Sequence, residues 1–266
     1  MTEDLLIKHD ILVIDVGNTN TQFAVIGSSG IIKKWRLSTQ PERTADEYAA
    51  AIVSNFLFKK EIKNIKEVII CSVVPSSVYE LKQFIKNIFN LNSKVIGNDI
   101  IPDIKVLIDR PDEVGADRLV NSLAAYKLYG GEKIVVDFGT ATTFDVVLED
   151  GSYAGGVISP GVQLSLDALD KATARLPRIA VKKPSFVVGV DTVTAMQSGI
   201  YWGYVGLLQG IVSRIKEESK TDMKVVATGG LANLFSVDSD LIDIVDLDLT
   251  IRGIAFAWNP SLNVFD

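Results

Sequence analysis

The stretch from Val13 to Val25 reads VIDVGNTNTQFAV, and the stretch from Val135 to Val147 reads VVDFGTATTFDVV. Each is an apolar run, an Asp, one residue, a Gly, a cluster of small hydroxyl or amide side chains, and a second apolar run. Short β-rich runs separated by Gly and small polar residues read as two strands joined by a tight turn. A chain that carries this unit twice, each time at the head of a similar succession of elements, points to a duplicated architecture.

The succession can be followed through both halves. In the first, residues 11–15, 22–26 and 31–37 are predicted strands, with Gly27 to Gly30 as a hairpin turn. A helix over 45–58 follows, then a buried strand over 68–73, a helix over 76–89, and short strands at 95–96 and 105–108. A helix is expected over 113–129, where Leu119, Leu123, Tyr126 and Tyr129 recur at helical spacing. The second half restarts with strands over 133–137, 143–148 and 153–158, and with Glu149 to Gly151 as a turn. Helices over 162–170 and 192–218 follow, then a strand over 224–227, a short helix over 231–235, a strand over 242–245 and a closing helix over 249–258. The expected fold is α/β, with two similar lobes, 1–130 and 131–266, facing each other across a cleft.

Composition narrows the function. With 266 residues, 47% of them hydrophobic, the chain can bury a substantial core. Its net charge is −6, and no run of clustered Lys and Arg offers a nucleic-acid surface. A local positive site for a small anion remains compatible with an acidic protein. The single cysteine, Cys71, lies inside VIICSVV and reads as a buried thiol. The single histidine, His9, precedes the first strand and reads as a surface residue. His/Cys metal clusters and Ser-His-Asp triads therefore lack material. The charged start MTEDLLIKHD is too poor in apolar length for a signal peptide, and no run approaches the ~20 apolar residues of a membrane span. The expectation is a cytoplasmic protein with neither a nucleic-acid nor a membrane partner.

The repeated turns suggest phosphate chemistry. A Gly two residues after a strand-ending Asp lets backbone approach a ligand closely. Exposed N–H groups and small Thr or Asn side chains can then cradle phosphate oxygens. The Asp repels phosphate by itself, so it is expected to work through a cation. One such turn alone would be read as a hairpin shaped for tightness; two favour a polyphosphate ligand. Neither a P-loop nor a dinucleotide glycine motif is present. A late Gly-Gly turn in ATGGLANLF, Ala227 to Phe235, is suited to a base or ribose but is weak by itself. GADR, Gly115 to Arg118, stands near the start of a predicted helix, where N–H groups and the macrodipole favour anions. There Arg118 can pair with a carboxylate and Asp117 can accept a proton, although an acidic first turn and a surface ion pair would look the same.

Together these stretches resemble the superfamily of acetate kinases, sugar kinases, heat-shock proteins and actin. Within it the chain closely resembles the type III pantothenate kinases. The resemblance is carried by DVGNTNTQ, EVGADRLVN, DFGTATTFD, GGVISPG, FVVGVDT and ATGG, in family order over nearly the whole chain. It implies a duplicated, two-lobed actin-like and ribonuclease H-like fold, and transfer of the ATP γ-phosphoryl group to pantothenate, the first step of coenzyme A synthesis. It implies Asp117 as general base, with Gly115, Ala116, Asp117 and Arg118 lining the pantothenate pocket together with Ile108 and Thr192. ATP is expected on Asp15, Val16, Gly17, Asn18, Thr19, Asn20, Thr21 and Gln22, and on Thr140, Gly229 and Gly230. Asp15 is expected near the divalent cation, Mg2+ with ATP, and Asp137 at a monovalent cation, K+ or NH4+.

Ile108 stands where many members of that family carry Tyr, which removes a hydroxyl from the expected pocket. Gly156, Pro160 and Gly161 suit either a substrate wall or a turn before a helix. The helix after Thr192, with Tyr201, Trp202 and Tyr204, is as suited to pairing with a second copy as to burial within its own chain. The resemblance favours a homodimer in which Thr192 reaches pantothenate across the interface. Two other readings remain at this level: a related kinase or phosphohydrolase acting on another substrate, and a non-catalytic nucleotide-binding regulator.

Overall fold

The computed structural model describes residues 9–53, 64–172, 177, 179–237 and 240–262. The chain divides into two units. The first comprises the described residues of 1–104, 110–124 and 249–266, and the second those of 105–109 and 125–248.

In the first unit, β1 (Asp10–Val16), β2 (Asn20–Gly27) and β3 (Gly30–Ser38) form an antiparallel meander. Helix α1 (Ala45–Val53) then leads toward β4 (Ile65–Ser72), which pairs parallel with β1. The remainder of the helix expected to reach residue 58 lies outside the described residues. Helix α2 (Pro75–Phe89) returns the chain to β5 (Lys94–Val95), giving the order β3-β2-β1-β4-β5. Leu12 and Ile14 of β1 pack with Tyr48 of α1 and with Leu81 and Phe84 of α2. Ile11 and Val13, on the alternate face, are equally buried. His9 is partly buried rather than on the open surface.

The second unit repeats this plan. The strands β6 (Lys133–Phe138), β7 (Ala141–Val147) and β8 (Tyr153–Pro160) form the meander, followed by α4 (Val162–Ala172) and the 28-residue α5 (Thr192–Ser219). β9 (Lys224–Gly229) pairs parallel with β6, and after α6 (Ala232–Ser236) comes β10 (Ile244–Val245), parallel to β9. The sheet order β10-β9-β6-β7-β8, taken from the meander edge, is that of the first unit. The duplication inferred from two turns thus extends to strand order and direction. Ile134, Val136 and Phe144 pack against Tyr201, Tyr204, Val205 and Leu208 of α5, and Phe235 stacks on Phe138 at 5.2 Å between ring centroids.

Four features differ from the expectations. First, the closing helix α7 (Leu249–Trp258) belongs to the first unit, so the division does not fall simply at residue 130. Its Ile251, Ile254 and Ala255 are buried, and it contacts β1 and β4. A Cβ at Gly253 would lie 2.0 Å from the Val120 carbonyl oxygen, so glycine is what admits this close approach. Second, residues 113–129 are not one helix: a 3-10 turn, Pro111–Glu113, is followed by extended Val114, and α3 (Ala116–Tyr129) begins only beyond Gly115. Third, residues 105–108 make a single bridge, Val106 to Tyr153, instead of a strand. Fourth, Tyr201 and Tyr204 are buried within the chain, which removes them as interface aromatics.

Candidate active site

The β1–β2 turn is closed by the Gly17 N–H, which donates to the Asn20 carbonyl at 3.0 Å. From the end of β3, Thr39 holds the same turn: its N–H donates to the Thr19 carbonyl at 2.9 Å and its hydroxyl to the Gly17 carbonyl at 2.7 Å. Asn18 and Thr19 at the tip are exposed, while Val16 and Thr21 point into the core. Those last two therefore shape the turn rather than present side chains to a ligand. Asp15, partly buried at the end of β1, lies in register with Cys71 of β4.

GADR adjoins the same strand ends. The N–H groups of Arg118 and Leu119 both donate to the Gly115 carbonyl, at 3.1 and 3.2 Å, forming the first turn of α3. Asp117 Oδ1 accepts from the Arg118 N–H at 2.8 Å. Burial raises the Asp117 carboxyl above its ordinary value, opposed by that N–H and by the Arg118 charge. A Cβ at Gly115 would lie 2.5 Å from Asp117 Oδ1 and 3.8 Å from Val73 Cγ1. Glycine thus leaves room for the carboxylate to fold back beside the end of β4. The Cys71 thiol is pushed well up, first by burial and then by the charges of Asp15 and Asp117. Two carboxylates distant in sequence therefore act on one buried thiol, which is structural, as its apolar setting suggested.

In the second unit Asp137 occupies the place on β6 that Asp15 has on β1, in register with Thr228 of β9. Its Oδ1 would lie 2.6 Å from a Cβ at Gly229 and 3.7 Å from one at Gly139. Gly229 has φ +89°, a left-handed conformation that side-chain-bearing residues rarely adopt. The Gly161 N–H donates to the Thr140 carbonyl at 3.1 Å, and a Cβ at 161 would stand 2.1 Å from that oxygen. Asp137, exposed Thr140 and Gly229 are thereby brought together around the second turn, with exposed Gly230 immediately beyond.

Ile108 lies in this unit, its Cγ2 3.5 Å from a Cβ position on Gly155, whereas Gly115 to Arg118 lie in the other. Gly156 and Pro160 are exposed on β8. Thr192 is exposed at the first position of α5, where Asp191 accepts the Thr194 N–H at 2.8 Å in a capping box. The residue that sequence reasoning missed is Thr39. It follows an ordinary alternating strand, and nothing local shows that it returns to a turn some twenty positions earlier.

Among the described residues no group of three or more His, Cys, Asp or Glu side chains could hold a metal ion by itself. Asp15 suits Mg2+ of the kind carried in with a nucleotide, which is held by one or two carboxylates plus phosphate oxygens. No helix among the described residues is long and apolar enough to cross a membrane.

Known structures share this architecture. A candidate 2-dehydro-3-deoxygalactonokinase from Sinorhizobium meliloti superimposes with a TM-score of 0.58 at 15% identity, covering 96% of this chain and 98% of the other. Two repeated sheets, each with an Asp-bearing turn at the head of its meander, define an α/β protein with a duplicated, actin-like fold. Sequence comparison is more specific. The family profile for type III pantothenate kinase matches residues 11–214. The type III pantothenate kinase of Paramagnetospirillum magneticum is 51% identical over 246 residues, covering 92% of this chain and 95% of the relative. That of Rhodospirillum rubrum is 50% identical over 246 residues, covering 92% and 96%. The chain belongs to the type III pantothenate kinase family.

Proposed function

We infer that this protein transfers the γ-phosphoryl group of ATP to the primary hydroxyl of pantothenate, giving 4'-phosphopantothenate for coenzyme A synthesis. Besides family membership, one observation carries the assignment of roles: Asp15 is in register with Cys71 of β4, and the Cβ position of Gly115 touches both the Asp117 carboxylate and Val73, just past the end of that strand. A phosphate-binding turn and a proton acceptor are thus neighbours within one unit.

The reaction needs positioning and charge neutralisation more than covalent help. The Asp15–Gln22 turn offers N–H groups to the ATP phosphates, and Asp15 would hold the Mg2+ that comes with ATP, which would neutralise phosphate charge. Asp117 accepts the hydroxyl proton as the substrate oxygen bonds to phosphorus, and the bond to the β-phosphate oxygen breaks to release ADP. Its raised pKa makes Asp117 a stronger base than an ordinary carboxylate. Arg118 pairs with the pantothenate carboxylate, and Gly115 and Ala116 line the same pocket. Thr140, Gly229 and Gly230 serve ATP.

Asp137 is proposed to hold K+ or NH4+. Its support is the place of Asp137 on β6, equivalent to that of Asp15 on β1, with glycine at 229 letting the Asp137 carboxylate and the Phe138 backbone pack closely at the head of the second turn. Ile108 forms an apolar part of the substrate wall. A homodimer, with Thr192 reaching the partner's substrate, is supported by exposed Phe186, Val188 and Val190 just before α5. Gly199, Gly203 and Gly206 on α5 also face open space in the single chain. The cytoplasm, where ATP is available, is the compartment this reading requires.

The test is direct. Purified protein incubated with Mg-ATP and pantothenate, with and without potassium, should form phosphopantothenate and ADP in equal amounts. ADP without phosphopantothenate, or neither product under any cation, would overturn the assignment.

A further inference from the structure

We propose that Thr39 is a positioning residue that sets the polarity of the phosphate turn; this rests on the reading of Asp15–Gln22 as the ATP-phosphate element. The hydroxyl of Thr39 has one proton, and the Gly17 carbonyl, 2.7 Å away, can only accept it. The 2.9 Å contact between Thr39 Oγ1 and Thr21 Oγ1 must then run the other way, with Thr21 donating. Thr21 is fully buried, so its hydroxyl proton is used inside the fold. The result is a directed relay, Thr21 to Thr39 to the Gly17 carbonyl, joined by the Thr39 N–H to the Thr19 carbonyl at 2.9 Å.

The consequence follows from peptide geometry. A trans, planar peptide places its N–H opposite its C=O. With the Gly17 and Thr19 carbonyls both drawn toward Thr39, the N–H groups of Asn18 and Asn20 point away from it. Carbonyl oxygens, which repel phosphate, are thus gathered on the Thr39 side, and donors are displayed on the opposite side. Asn18 and Thr19 are exposed at the tip, so the relay reaches the part of the turn that can meet a ligand. Without such a tether the turn, closed only by the Gly17 N–H to the Asn20 carbonyl, would be freer to flip its peptides. Thr39 removes that freedom before the nucleotide arrives, which lowers the ordering cost of binding.

The experiment uses the full-length protein and a non-hydrolysable ATP analogue with Mg2+, titrated calorimetrically. Thr39→Val keeps the shape and the backbone N–H but removes the hydroxyl. Its nucleotide dissociation constant should rise by about tenfold, with the KM for pantothenate unchanged. Thr39→Ser should stay within about twofold of the natural protein. Because Thr39→Val leaves the buried Thr21 hydroxyl without its acceptor, it should also melt earlier. The double variant Thr21→Val/Thr39→Val also removes the Thr21 hydroxyl and should recover part of that stability, the Gly17 carbonyl still lacking its donor, while keeping the weakened nucleotide binding. Natural affinity in Thr39→Val, or affinity that returns together with stability in the double variant, would overturn the proposal. A natural protein that binds no Mg-nucleotide would instead overturn the phosphate reading itself, and the proposal with it.

Discussion

A Cβ at residue 115 would lie 2.5 Å from Oδ1 of Asp117, nearer than a carbon and an oxygen can pack. The obstacle would be the tip of a side chain that can rotate away, not backbone. Gly115→Ala should therefore cost stability only about 1 kcal/mol or less. It should displace the carboxylate from the Arg118 N–H and slow turnover by about tenfold or more, since misplacement of a reacting group by about 1 Å can cost far more. Thermal melting and kcat measured on the same preparation check this; natural turnover would show that the carboxylate position is not critical.

Asp117→Asn keeps size and hydrogen bonding but cannot take the substrate proton. Turnover should fall by roughly 10²–10⁴-fold with ATP binding retained. In the natural protein, activity should decline as the medium is acidified through a pKa lying above the ordinary carboxylate value, because the base must be ionised. A pH–rate profile of Asp117→Asn should lack that limb. A folded variant with near-natural kcat would remove Asp117 from the role of base.

The same shift has a stability consequence. Burial raises the folded-state pKa of Asp117, so between the unfolded and folded values the native chain binds more protons than the unfolded one. The group's contribution is fully present below the unfolded value and is lost as pH rises through the folded value. At neutral pH, Asp117→Asn, which carries no charge, should melt at a higher temperature than the natural protein. The difference should shrink on acidification. Parallel melting curves at neutral and acidic pH would show it, and a difference that is constant or grows in acid would contradict it.

If Asp137 holds a monovalent cation, activity in sodium-only buffer should be low, and potassium or ammonium should restore it. Asp137→Ala should abolish the response to the cation while leaving the unit folded. Initial rates in the three buffers decide the point, and equal rates in all of them for the natural protein would remove the cation site.

If Thr192 acts across a dimer, Asp117→Asn and Thr192→Arg homodimers should each be strongly impaired, but co-refolding should recover activity. One site in each mixed dimer would then receive an intact Asp117 and an intact Thr192. Mixed dimers shown by tag capture, yet no more active than their parents, would mean that Thr192 does not act in trans.

Elements whose logic is local are legible in the residues alone. Asp15-Val16-Gly17 and Asp137-Phe138-Gly139 announce strand ends because a short apolar run, a Gly and small polar residues have few other uses. Leu119 and Leu123 mark one helix face for the same kind of reason: their periodicity is complete within a single segment. The motifs also carried the family, since they recur in order along the chain. Other relationships depend on residues that are distant in sequence. Nothing near residue 253 says that α7 crosses to the first sheet, because the reason is a Val120 carbonyl lying 2.0 Å from where a Cβ would be. Thr39 became a partner of Gly17 only when the meander brought its hydroxyl within 2.7 Å. Tyr201 and Tyr204 looked equally fit for an interface or a core until the second sheet supplied the apolar face that buries them. Asp15 and Asp117 became neighbours of one thiol only once β1, β4 and the start of α3 had packed, because burial and Coulombic contact belong to the folded arrangement and leave no trace in either segment alone.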